Sequence, residues 1–189
     1  MVHQSQFIEM FGDLSKNTKG WPADSLGSIA EVRIGPFGSL LHQDDYCVGG
    51  HPLVNPSHII DNQIVPDSKV AVSDNKFQEL HSYQLRVNDV VLGRRGEMGR
   101  AGIVKQEGMV CGTGSMFIRA EEREDSYFIH QLLITPAYKE TLERNSVGTT
   151  MMNLNISIVS SLTVPILPRN LKKSYIDLSY RADKSKYLN

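Results

Sequence analysis

Cysteine is scarce: Cys47 and Cys111 are the two thiols in 189 residues, with no CxxC pair and no Cys/His set at zinc spacing. That excludes a disulfide scaffold and gives no reason to assign a metal; each cysteine reads as a small buried hydrophobe. No apolar run approaches the roughly 18 residues of a membrane helix. The start, Met1-Val2-His3-Gln4-Ser5-Gln6, lacks the basic residues and apolar stretch of a secretory signal, so a cytoplasmic protein is expected. Excess charge is also missing. A net charge of −1 excludes a protein that coats nucleic acid by bulk electrostatics.

Catalytic signatures are missing too. A base methyltransferase needs an Asn-Pro-Pro-aromatic stretch, and Asn55-Pro56-Ser57-His58 lacks the second proline and ends in imidazole, so it reads as a turn. Gly112-Thr113-Gly114 has no strand-to-helix setting for a cofactor and reads as a loop. Asp67 with Asp74-Asn75-Lys76 has the residue types of a metal nuclease but reads as a surface loop. Six histidines are scattered without a triad spacing, and His130 reads as a core or rim residue. No catalytic residue, metal site or cofactor is assigned.

What is present is an ordinary globular balance, 40% hydrophobic and 22% charged, in a chain long enough to bury about 70% of its unfolded surface. Phe7, Ile8 and Phe11 before Gly12 read as the last turns of a helix, and Gly12 to Ser25 as a linker. Short β-rich segments follow at Ile29 to Ile34, Lys69 to Val72, Gln84 to Leu92, Ala101 to Lys105 and Met116 to Arg119, in a sheet with both faces partly covered. Ser126 is placed to cap a helix bearing Phe128, Ile129, Leu132 and Leu133, and Pro136 to start a second with Tyr138 and Leu142. Thr163 to Pro168 reads as an edge strand because its two prolines forbid a central ladder position. Leu171, Tyr175 and Leu178 recur at helical spacing to the chain end. The fold class is α+β: a β-rich domain with a helical layer, flanked by helical arms. Boundaries fall at 1–20 for the N-terminal arm and linker, 21–168 for the domain and 169–189 for the C-terminal arm.

Charge is segregated along the chain. Residues 86–105 carry five basic against two acidic residues, net +3; residues 169–189 carry six against two, net +4. Residues 44–79 carry six acids against two lysines, net −4. Such stripes permit a basic binding face without requiring one.

Three ordered stretches carry a family resemblance: Leu26-Gly27-Ser28-Ile29 with Gly35-Pro36-Phe37-Gly38-Ser39; Asn88-Asp89-Val90-Val91 with Gly93-Arg94-Arg95-Gly96 and Gly99-Arg100-Ala101-Gly102-Ile103-Val104; and Gly148-Thr149-Thr150-Met151 with Leu162 to Pro168. Together they resemble the target-recognition domain of type I restriction-modification specificity subunits, over about residues 21 to 168. Ser5 to Gly12 and Asp183 to Lys186 resemble the junctions with that family's conserved spacer helices. The resemblance implies half a specificity subunit: a non-catalytic reader of one half of a bipartite double-stranded DNA site. It implies assembly with modification (methyltransferase) and restriction subunits, and a homodimer through the helical arms. S-adenosylmethionine, ATP and magnesium are then expected only on the partner subunits.

DNA reading needs phosphate contacts for register and base-edge contacts for sequence. The candidates are Gly35, Phe37, Gly38 and Ser39; Arg94, Arg95 and Arg100; and Thr149, Thr150 and Asn153. The competing expectation is an interaction-only fragment or decoy that binds modification subunits through residues 1–12 and 169–189.

Overall fold

The computed structural model describes residues 2–14, 16–147 and 153–186. The chain runs α1 (Val2–Phe11), β1 (Ala23–Ser25), β2 (Ala30–Ile34), β3 (Tyr46–Cys47), β4 (His51–Val54), β5 (Ile59–Ile60), β6 (Gln63–Ile64), β7 (Ala71–Val72) and α2 (Asp74–Glu79). It continues through β8 (Val90–Gly93), β9 (Ala101–Ile103), β10 (Val110–Cys111), β11 (Ser115–Ala120), α3 (Arg123–Leu133), α4 (Pro136–Asn145), α5 (Ile156–Ser160), β12 (Thr163–Pro165) and α6 (Arg169–Lys186).

A six-stranded mixed sheet ordered β2-β11-β8-β9-β6-β5 forms the centre, beside a four-stranded sheet β10-β4-β7-β3 and a two-stranded ribbon β1-β12. In β8 and β11, alternation divides side chains between two dry faces. Val90, Leu92, Met116 and Ile118 enter the larger core under the helices, while Val91 and Phe117 enter a second core with Val54, Leu85 and Cys111. Both faces of the central sheet are thus covered, and the mixed α and β architecture agrees with the expected α+β class. Cys111 is fully buried and burial pushes its thiol up, which keeps it inert; Cys47 is half-buried.

The structure departs from the sequence expectations in places. Gln84 to Leu92 is not one strand: Asn88 has φ +77°, and the Asp89 carboxylate accepts from the Arg86 backbone N–H, making a turn that leaves only Val90–Gly93 extended. Ser126 is a buried residue inside α3, and Glu122 occupies the N-cap position. Residues 74–79 form a short helix rather than a loop, because the Ser73 hydroxyl accepts from the Lys76 N–H and caps it. Ile156–Ser160 starts in the same way, with the Asn155 side chain accepting from the Ile158 N–H. As expected, Asn55 to His58 is a tight turn, and β12, with Pro165, pairs with β1 in a two-stranded ribbon apart from the central sheet.

The arms begin inside the domain. Phe7 and Phe11 of α1 meet Phe128 of α3 and Tyr175 of α6, with ring centroids 5.2 to 6.2 Å apart. Arg169 pairs with Glu122 at 2.5 Å, and Lys172 pairs with Asp125, binding the first turns of α6 to those of α3. Lys19 folds the linker back by donating to the carbonyls of Glu9 and Met10, which α1 leaves open at its C-terminus.

His130 lies buried on α3, with Nε2 donating to the Ala101 carbonyl; burial holds it below the ordinary histidine range, so it is a neutral core residue.

Candidate nucleic-acid interface

The pairing register decides where the loops go. Ile34 at the end of β2 lies opposite Met116, Gly93 at the end of β8 opposite Ser115, and Leu92 opposite Ala101 at the start of β9. Residues 35–41, 93–100 and 112–115 therefore emerge at one end of the central sheet, although they are far apart in sequence.

Close backbone contacts fuse them. The Gly35 N–H donates to the Ser115 carbonyl at 3.0 Å, and Arg94 N–H to the Gly114 carbonyl at 3.0 Å. A Cβ on Gly35 would stand 2.1 Å from the Gly112 carbonyl oxygen, so only glycine permits this approach. Gly112 is likewise pressed against the Asn55 side chain, whose Oδ1 accepts from the Gly114 N–H at 3.3 Å. Leu154 joins them through Arg94, whose carbonyl accepts from the Leu154 N–H at 2.9 Å, and Val147 and Asn153 exchange backbone hydrogen bonds beside it.

The expected contact residues have different surroundings. Gly35 is buried in the packing just described. Phe37 is 60% exposed; Ser39 is exposed; and Gly38, at φ +62°, allows the tight turn between them. Arg95 is exposed on the hairpin. Arg100 is neutralised, with Nε and Nη2 at 2.8 and 2.5 Å from Glu97 Oε2. Arg94 is 9% exposed, and its Nε donates to Asn153 Oδ1 at 3.0 Å. Burial, then the neighbouring Arg95, pulls Arg94 below the ordinary arginine range, though it remains a cation. Thr149 and Thr150, with the Gly148 to Met151 motif, lie outside the described residues.

Two features escaped the sequence. Lys139 of α4 packs its side chain where a Cβ on Gly99 would stand, adding a cation beside the hairpin. The Arg94–Asn153 link spans 59 positions and leaves no local pattern. Among the described residues, no group of three or more His, Cys, Asp or Glu is placed to hold a metal, and no helix is long and apolar enough to cross a membrane.

A packed sheet whose strand ends present loops from distant parts of the chain is a scaffold of the kind on which binding residues are commonly carried. The sequence matches the family model of the type I restriction modification DNA specificity domain over residues 18–173, and the chain belongs to that family. The S subunit of a type I restriction-modification system from M. genitalium has a similar structure, with TM-score 0.61 and 17% identity over 89% of this chain and 40% of that one. The HsdS subunit from Thermoanaerobacter tengcongensis gives TM-score 0.60 and 17% identity over 99% of this chain and 44% of that one. A chain from a study of complex assembly and conformational transition in the type I R-M system gives TM-score 0.65 and 16% identity, over 99% and 45%. At these identities the likeness establishes the fold. The chain spans 40 to 45% of the length of these structures, and no curated protein sequence matches it.

Proposed function

We propose that this chain reads one half of a bipartite double-stranded DNA target through the loop-bearing end of its central sheet. The observation that carries this reading is the convergence of residues 35–41, 93–100, 112–115 and the Val147–Asn153 pair on one side, with exposed Phe37 and Arg95 among them. Glycine-rich loops let backbone approach phosphate closely, while side chains on a rigid sheet hold register against base edges. The chain itself is non-catalytic in this proposal. Modification subunits carry S-adenosylmethionine and methylate adenine, and a restriction subunit supplies ATP- and magnesium-dependent cleavage. The arms α1 and α6 dock the modification subunits and pair two copies, because a two-fold dimer presents two identical readers at a fixed spacing.

Fluorescence anisotropy of the purified chain against a duplex library at two salt concentrations tests this, with mass measured by light scattering in the same buffer. Preference for one symmetric bipartite site together with a dimer mass is expected. A folded chain that binds modification subunits yet no duplex, even at low salt, identifies an interaction-only decoy instead.

A further inference from the structure

Among the described residues, Arg94 is a buried charge without a counter-charge. The residue is 9% exposed, and no carboxylate among the described residues lies within ion-pair distance. Its side-chain hydrogen bond goes to a neutral acceptor, Asn153 Oδ1, and the residue beside it is a second cation, Arg95. Burying an unpaired cation is unfavourable unless a partner compensates it. The same hairpin shows the alternative: Arg100 is matched by Glu97 at 2.5 Å.

The geometry limits what that partner is. Among the described residues, Nε alone of the guanidinium nitrogens has an acceptor, Asn153 Oδ1, and the two Nη groups form a planar fork that fits two oxygens of a phosphate. A side chain so deeply set has little reach toward a base edge in a groove, whereas the glycine-rich backbone around it suits close approach of a phosphate. We propose that Arg94 seats one phosphate of the DNA backbone and that Asn153, acting through Arg94, is its positioning residue. This rests on the DNA-reading proposal above. It assigns Arg94 to register, and sequence discrimination to side chains other than Arg94.

The test is equilibrium binding of the full chain to its preferred duplex and to two scrambled duplexes, between about 50 and 200 mM salt. Arg94→Gln is expected to weaken all three by about tenfold at low salt, to reduce the slope of log K against log salt by about one, and to leave their ranking unchanged. Asn153→Ala is expected to lower affinity while keeping the slope, because the charge stays but its aim is lost. Arg94→Lys is expected to keep the slope with reduced affinity, because the point charge lacks the fork.

Unchanged affinity and slope in Arg94→Gln, with wild type still binding DNA, overturns the phosphate seat and leaves the DNA reading intact. An altered ranking of the duplexes overturns it as well, since Arg94 would then read a base. If Arg94→Gln does not fold by circular dichroism, Arg94→Lys decides, and wild-type affinity in that variant overturns the proposal. A wild-type chain that binds no duplex at low salt ends the DNA reading, and the seat with it.

Discussion

Asp89→Ala is expected to lower the unfolding free energy by about 3 to 5 kcal/mol, read as a shift of the urea midpoint at constant slope. Asp89 is 2% exposed and accepts from Arg119 Nε at 2.8 Å and Nη2 at 2.6 Å, with the Arg86 N–H as a third donor. Arg119 also donates to the Gln84 carbonyl and lies over the Phe117 ring. Removing the carboxylate strands a part-buried guanidinium and opens the turn at Asn88 in one step. Exposure decides the contrast with Arg144–Glu140, whose side chains are 70% and 69% exposed. Arg144→Ala should change stability by no more than about 0.5 kcal/mol. Equal effects at the two sites would show that the Asp89 network does not hold the sheet.

Phe11→Ala is expected to cost about 3 to 5 kcal/mol as well, in the range for deleting a fully buried aromatic ring. Phe11 has no solvent exposure and touches the rings of Phe7, Phe128 and Tyr175, so one side chain joins both arms to α3. Its carbonyl also accepts from the indole N–H of Trp21, the chain's one tryptophan. Loss of this packing should therefore red-shift Trp21 emission in step with lower stability by circular dichroism. A variant within about 1 kcal/mol of wild type would mean that the arm bases are not integral to the core. For the same reason, removing residues before 21 or after 168 takes Phe7, Phe11 and Tyr175 out of the main core.

The elements legible in the sequence are those with strong periodicity. Phe128, Ile129, Leu132 and Leu133 recur at helical spacing, and all four are buried in α3; Tyr138 and Leu142 behave likewise in α4. The edge position of β12 followed from its prolines. Local chemistry was misread where one residue type serves two purposes. Ser126 fits an N-cap but is buried inside the helix, while Ser73 and Asn155, which do cap helices, stand in polar stretches that look like loops. Val87 belongs to the valine-rich run that suggested a long strand, yet it lies in the turn made by Asn88 and Asp89. Of the candidate interface, the glycine and arginine composition of the loops was visible. Their convergence was not, because it depends on strand order and on contacts such as Gly35 with Gly112 that connect distant segments. Nor does composition distinguish Arg94, buried and uncompensated, from Arg100, paired within its own hairpin.

In the proposed function the loop-bearing end of the sheet faces DNA. Amide hydrogen exchange of the full chain, with and without its preferred duplex, tests that most directly. Slowed exchange in residues 37–41 and 93–100 is expected on adding duplex, with α1 and α6 unchanged. Protection confined to α1 and α6, with those loops exchanging as in the free chain, would contradict it.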